Sequence, residues 1–147
     1  GHLGIAWAWY MVSQQWQDFW PADNSPKDDD PAKRVKAVIL MTDGMFNSEA
    51  SGLTGGSVPA YAGISQLSGR LAMTYCNEIK AKKIKLFTIG FRLQDINVPA
   101  QQAEAIRLLQ DCATAPAAGE TTFFNAENGA ELTAAFKEIA KRVTLTN

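Results

Sequence analysis

Apolar and polar positions along the chain follow two periods, and these periods predict four helices and three strands. Apolar residues three and four positions apart mark the helices, whereas short, nearly continuous apolar runs rich in β-branched residues mark the strands. The predicted helices cover 3–17, 70–82, a segment that begins at Pro99 and a segment that follows Asn128; the predicted strands cover 35–41, 85–93 and 121–125. The order α-β-α-β-α-β-α is typical of a three-layer α/β domain with a mostly parallel sheet.

Local signals refine several of these elements. Asn128 can cap the last helix, and Glu131 stands three residues later, which is the spacing of a capping box. The first helix, 3–17, is apolar on more than one face, so we expect it to pack on several sides. The run at 35–41 shows no alternation, which favours a strand that is buried on both faces of the sheet.

Two long segments carry neither period. Residues 22–33 are rich in Pro, Asp, Asn, Ser and Lys, and residues 45–69 are rich in Gly and Ser. We expect both to be loops. A connection as long as the second one is usually functional or disordered rather than a simple link between elements.

Composition narrows the class of protein. The 147 residues are 46% apolar and 20% charged, which is ordinary for one globular domain. The net charge of −1 offers no basic face, so we do not expect a nucleic-acid partner. The longest apolar run, residues 5–12, is far shorter than a membrane helix needs, so we expect no membrane contact by this segment.

Asp43 is the leading candidate for chemistry. It directly follows the strand predicted at 35–41, and ligands of open parallel sheets bind at the carboxyl ends of the strands. Its carboxylate is suited to a hard divalent cation or to acid–base work, and equally to capping its own turn. The chain has one histidine, His2, which we interpret as a possible tag remnant without a chemical role; phosphate-loop and nucleophile-elbow motifs are absent from the sequence. Catalysis is therefore the less favoured interpretation.

The cysteines and tryptophans each leave two interpretations open. Cys76 and Cys112 lie on the apolar stripes of two consecutive predicted helices, where either a disulfide or two buried thiols would fit. All four tryptophans fall within the first twenty residues. For them we prefer core packing over an aromatic platform for a ligand.

Several motifs resemble one known family. Residues 38–44, Val-Ile-Leu-Met-Thr-Asp-Gly, resemble the strand-to-loop signature of von Willebrand factor A domains. An ordered set of segments resembles the C-terminal portion of TadG-like pilus assembly proteins, namely 4–13, 41–47, 86–91, 111–114 and 123–126. The resemblance implies a von Willebrand A-like (Rossmann-like) three-layer fold and a non-enzymatic protein-interaction or adhesion domain in tight-adherence (Flp-type) pilus assembly. It also implies a periplasmic or extracytoplasmic location in the bacterial envelope, with an upstream membrane helix as anchor.

The same resemblance implies a metal site in the complete domain. In the A-domain family, an Asp-x-Ser-x-Ser strand end, a later Thr and the Asp of a Thr-Asp-Gly-like turn bind Mg²⁺ or Mn²⁺. Of these ligands only Asp43 has a counterpart here, within a loop that includes Thr42, Gly44 and Asn47. We therefore expect Mg or Mn in the complete domain and no cofactor in this fragment.

The missing signature predicts that residues 1–147 form a single but incomplete domain that lacks its first strands. The strand at 35–41 would then have an exposed edge, and exposed edges invite pairing. We expect it to pair with a missing segment or with another copy, and we expect a protein partner from the pilus or the envelope. An envelope location favours the Cys76–Cys112 disulfide. The alternatives are an α/β Mg-dependent, hydrolase-like enzyme that uses Asp43, and a purely structural domain without a metal.

Overall fold

A computed structural model describes residues 1–30, 32, 34–46 and 58–144. Its helices and strands follow the predicted order: α1 His2–Val12, β1 Ala37–Thr42, α2 Leu67–Ala81, β2 Lys85–Phe91, α3 Pro99–Cys112, β3 Phe123–Ala126 and α4 Gly129–Thr144. Short 3₁₀ helices lie at Gln14–Phe19, Ala22–Asn24 and Leu93–Asp95. No helix among the described residues is long and apolar enough to cross a membrane.

The three strands form one parallel sheet in the order β1-β2-β3. β2 is the central strand, and its five inner residues are all buried. Its single polar side chain in this stretch, Thr88, donates its hydroxyl proton to the carbonyl of Leu109 at 2.8 Å, so burial leaves no unsatisfied hydroxyl. The prediction of an α/β domain with a parallel sheet is confirmed.

Helices cover both faces of this sheet, because successive residues of β2 point to opposite sides. On one side, Leu86 lies in a core that α1, α2 and α3 contribute to. On the other side, Phe87 and Ile89 pack with Ala135 and Ile139 of α4. One face is therefore covered by three helices and the other, among the described residues, by α4 alone.

The first predicted helix, 3–17, is wrong in its extent and in its packing. α1 ends at Val12 because Ser13 adopts an extended backbone, and its hydroxyl accepts the Gln15 N–H at 3.4 Å to begin the following 3₁₀ helix. Serine competes with the helical hydrogen bonds in this way, which explains the break. Only one side of α1 is buried, while Leu3 and Trp7 are more than half exposed.

Other predicted boundaries shift by a few residues. α2 begins at Leu67, so the end of the loop predicted at 45–69 is helical, and the central part of that loop, 47–57, lies outside the described residues. β2 ends at Phe91, two residues before its predicted end, because Arg92 has a positive φ of 56° that an extended strand does not accommodate. The loop predicted at 22–33 contains the short 3₁₀ helix Ala22–Asn24.

The predicted cap of the last helix is confirmed. Asn128 Oδ1 accepts the backbone N–H groups of Ala130 and Glu131, both at 3.0 Å. Glu131 in turn accepts the backbone N–H of Glu127 at 2.8 Å. The two bonds to Asn128 satisfy N–H groups that a helix start otherwise leaves without partners, and the third ties Glu131 to the residue before the cap.

A disulfide joins α2 to α3. It links Cys76 and Cys112, both fully buried, with 5.2 Å between their Cα atoms. Close by, Lys80 donates to the carbonyl of Asp111 at 2.6 Å. Partial burial lowers the pKa of Lys80, and the Asp111 carboxylate opposes that shift.

His2, interpreted above as a possible tag remnant without a chemical role, is packed in the folded chain. His2 is buried at the start of α1, and its Nδ1 lies 2.7 Å from the hydroxyl of the buried Ser68 on α2. A side chain at the preceding Gly1 would collide with the ring of Phe46. The first turn of α1 is therefore part of the packed structure.

Candidate functional site

Asp43 lies where the sequence placed it, directly after β1 at the carboxyl end of the sheet, and it is exposed. The turn after it is held by its neighbour. The Thr42 hydroxyl accepts the Gly44 N–H at 3.3 Å and donates to the Gly44 carbonyl at 3.1 Å. Thr42 thus performs the turn-capping role that the sequence left open for Asp43.

The polar side chains that follow β2 are engaged in contacts with one another and with the end of β3. Arg92 forms an ion pair with Asp95 at 2.6 Å, and both side chains are about half exposed. Gln94 donates to the backbone carbonyl of Glu127 at 3.2 Å, which ties the end of β2 to the end of β3. These contacts shape the loops at the carboxyl edge of the sheet.

The described residues do not by themselves fit the metal site that the resemblance implies. Within this part of the chain, no group of three or more His, Cys, Asp or Glu side chains could hold a metal ion. Asp43 contributes one carboxylate, and the Thr42 hydroxyl is already bonded to Gly44. Mg²⁺ requires near-octahedral coordination by oxygen atoms, many more than these two residues offer. Asn47, the other residue predicted for this loop, lies outside the described residues.

The second candidate surface is the outer side of β1. Among the described strands, β1 pairs only with β2, so its other edge carries no strand. Its side chains alternate: Val38 is buried against the core, whereas Ile39 is 43% and Met41 is 49% exposed. The prediction that this strand is buried on both faces is wrong, because α4 packs on β2 and β3 and leaves Ile39 and Met41 uncovered.

The third candidate surface is aromatic. We call it the aromatic cleft; it has a volume of about 450 Å³ and is lined by Trp7, Tyr10, Trp16, Phe19 and Trp20. The preference for core packing of the tryptophans is confirmed for Trp9, which is buried, and wrong for Trp7, which is 59% exposed. The 3₁₀ helix that follows Ser13 creates this cleft, since it turns the later aromatic residues back toward α1.

Comparison of the chain with protein-family models, with curated proteins and with solved structures found no match. The α/β class and the parallel sheet therefore stand on the structure alone. The resemblance to von Willebrand A domains stays a prediction from the motifs.

Proposed function

We propose that this chain is a non-enzymatic protein-interaction domain of von Willebrand A-like type, acting in the assembly of tight-adherence (Flp-type) pili. In this proposal it works in the periplasm or at the outer surface of a bacterial cell, anchored by an upstream membrane helix in the full-length protein. The ordered motifs support the family and location, and the parallel α/β architecture is compatible with them. The open side of β1 is the observation that carries an interaction role.

The backbone of β1 is suited to accept another strand. Ala37 stands opposite Lys85, and the Lys85 N–H bonds to the Lys36 carbonyl. In a parallel pair, residues at alternate positions bond to the neighbour, so the N–H and C=O groups of Ala37, Ile39 and Met41 point away from β2. Edge strands are usually protected by charged residues, proline or a bulge, and the sequence of β1, Ala-Val-Ile-Leu-Met-Thr, contains no charge and no proline.

The side chains of β1 also favour the addition of another strand. Ile39 and Met41 present apolar surface on the face that α4 leaves open. An incoming strand would satisfy the outward backbone groups, and an element packed beside it would remove this apolar surface from water. The donor is a protein segment, supplied either by a part of the full-length protein outside this sequence or by a second copy.

The test replaces Ile39 by proline. This removes an N–H that faces away from β2, so the β1–β2 bonds remain while the edge can no longer accept a regular strand. Ile39→Val is the matched control, since it keeps the N–H group and the β-branched side chain. We would measure hydrogen exchange of the β1 amides and the molar mass by light scattering, for this chain at increasing concentration and for the longer natural protein.

The proposal expects the Ile39 and Met41 amides to be unprotected in the dilute chain. They become protected in the longer protein if a missing segment supplies the strand, or at high concentration if a second copy does. In Ile39→Pro, which has no amide at position 39, the protection of the Met41 amide is lost, whereas Ile39→Val retains the protection of both amides. Equal, fast exchange under all of these conditions would contradict the proposal.

A further inference from the structure

The outer side of α1 is apolar and open to solvent. The exposed residues of α1 are Leu3, Gly4, Trp7 and Met11, and none of them has a polar side chain. A helix at the surface of a monomer normally carries polar residues on its solvent side, and a helix that is apolar all round is normally buried. Among the described residues, α1 therefore lacks a covering element on this side.

The apolar surface extends from α1 across the aromatic cleft. Phe19 lines this cleft together with Trp7. Trp20 lines it as well, and Trp20 also borders a second depression beside Met11. The surface is thus continuous from α1 to the 3₁₀ helix that follows it. We call this surface the α1 patch; its exposed large side chains are those of Leu3, Trp7, Met11 and Phe19.

The area of the α1 patch is close to what a dimer interface needs. Leu3 is 53% exposed, Trp7 and Met11 are each 59% exposed and Phe19 is 78% exposed, which corresponds to about 500 Å² of accessible surface. Two copies that cover each other's patch would bury about 1,000 Å² from these four side chains alone. The surrounding residues would bring the total into the range of roughly 1,200–2,000 Å² that specific, stable interfaces bury.

The charges around the α1 patch are of both signs. Three basic residues border it beside Met11, namely Lys27, Arg34 and Lys36. Arg34 forms an ion pair with Asp28, and Lys36 forms one with Asp29. The helix α1 itself contains no Asp, Glu, Lys or Arg. A rim of one sign would attract a partner of opposite charge and repel a second copy, whereas these paired charges are compatible with a second copy.

The α1 patch also combines a projecting ring with a concave surface. Phe19 is the most exposed of its large side chains, and the cleft beside it has a volume of about 450 Å³. A two-fold axis brings the same surface of two copies together, so that each copy contributes the same contacts to the other. Such an axis allows the Phe19 ring of each copy to lie against the cleft of the other.

We propose that a second copy of this chain covers the α1 patch in a two-fold symmetric dimer. Removal of the exposed apolar side chains from water stabilises this dimer. It buries the side of α1 that the single chain leaves open, while the opposite side of α1 packs on α2. The α1 patch and the edge of β1 belong to different elements, so this inference does not depend on the addition of a strand at β1.

The test introduces one charge into the α1 patch without disturbing the folded chain. A Cβ atom at Gly4 would meet no other atom within 4 Å, and glutamate is a better helix former than glycine. Gly4→Glu is therefore compatible with the folded chain, whereas in the dimer it would bury a charge without a partner. The matched control is Gly129→Glu, the same change in the first turn of α4, where the space around a Cβ atom is equally open.

Sedimentation equilibrium at micromolar to millimolar concentrations measures the dissociation constant of the dimer. We expect a micromolar constant that Gly4→Glu and Trp7→Ala each raise at least about tenfold, as for a residue at the centre of an interface. Gly129→Glu should change it by less than about twofold. Tryptophan fluorescence should shift to shorter wavelength as the concentration rises, because Trp7 leaves water, and Gly4→Glu should abolish this shift. Far-UV circular dichroism verifies that each variant is folded.

Two further measurements separate this dimer from other kinds of association. Ile39→Pro should leave the dimer intact, because it changes the edge of β1 and not the α1 patch; a dimer lost in Ile39→Pro and kept in Gly4→Glu would contradict the proposal. A chain that stays monomeric at all of these concentrations would also overturn it. So would a monomeric chain that binds phosphatidylcholine vesicles through contacts that Gly4→Glu removes, since a neutral lipid surface would then be what covers the α1 patch.

Discussion

At the scale of single residues, Thr42 and Asp43 contribute differently to the turn that ends β1. The Thr42 hydroxyl bonds twice to Gly44 and thereby holds the turn, so the exposed Asp43 carboxylate is not required for that structure. Thr42→Val should lower the free energy of unfolding by about 0.5–1.5 kcal/mol, the usual net value of such a bond. Asp43→Asn should change it by less than about 0.5 kcal/mol. Urea denaturation of both variants measures this, and a larger loss for Asp43→Asn would assign the turn to the carboxylate instead.

The ionisation of Tyr75 makes the stability of the folded chain depend on alkaline pH. Burial raises its pKa above the usual 10.0, and the neighbouring Tyr10 adds to the effect. The folded chain then holds the Tyr75 proton more tightly than the unfolded chain does, so this group's favourable contribution is complete below pH 10 and is lost as the pH rises further. Tyr75→Phe should therefore reduce the loss of stability on going to strongly alkaline pH.

Thermal unfolding at a series of alkaline pH values checks the role of Tyr75. Lys80 offers a comparison within the same chain, because burial lowers its pKa. As the pH rises, Lys80 loses its proton more readily in the folded chain than in the unfolded chain, so its contribution to the free energy of unfolding increases. Lys80→Gln should thus steepen the alkaline loss, whereas Tyr75→Phe flattens it. An identical pH dependence in the parent chain and Tyr75→Phe would contradict the assignment.

At the scale of elements, the disulfide joins α2 and α3, which also meet through buried apolar side chains and the hydrogen bond from Lys80 to the Asp111 carbonyl. It closes a loop between residues 36 positions apart, which removes conformational freedom from the unfolded chain. Reduction should lower the free energy of unfolding by about 2–4 kcal/mol. A Cys76→Ala, Cys112→Ala double variant should already be destabilised and should not respond to reductant. A parent chain equally stable before and after complete reduction, verified by alkylation and mass, would contradict this prediction.

The order of elements was predictable because each carries its own period, and the capping of α4 was predictable because Asn128 and Glu131 act locally. The end of α1 was not predictable from periodicity, since apolar residues continue past Ser13 while the serine hydroxyl redirects the backbone. The exposure of Ile39 and Met41 depends on where α4 packs, which is a tertiary property that a uniform apolar run does not encode.

Of the candidate sites, one could likewise be predicted from local sequence and another depends on tertiary packing. Asp43 could be located from the sequence because it follows a strand directly, and the carboxyl ends of strands are shared by every parallel sheet. The aromatic cleft could not, because it requires the 3₁₀ helix to fold back on α1. A partial signal was present: Trp7 and Tyr10 stand three residues apart, and residues at this spacing lie on one face of a helix.

At the scale of the whole molecule, the open edge of β1 beside Asp43 explains why this chain should bind a cation weakly. Three helices and a disulfide stabilise one face of the sheet, whereas β1 has an open edge beside the turn that carries Asp43. In the proposed complete domain, the missing strand would lie next to β1 and bring the further oxygen ligands. Without that strand, Asp43 supplies one carboxylate at the end of β1 among the described residues. One carboxylate provides too few oxygen ligands for Mg²⁺ or Mn²⁺.

A ligand that binds the folded state selectively must raise the melting temperature, by an amount that depends on its concentration relative to the dissociation constant. We expect millimolar Mg²⁺ or Mn²⁺ to shift the melting temperature of this chain little or not at all, and Asp43→Asn to make no further difference. The longer protein that restores the strand beside β1 should show a clear rise that Asp43→Asn removes. A rise in this chain that Asp43→Asn abolishes would place a working cation site within these residues and contradict the alternative of a purely structural domain without a metal. The proposed complete domain brings the strand and the ligands together, so on that proposal the longer protein should gain protection of the β1 amides and metal-dependent stability in the same step.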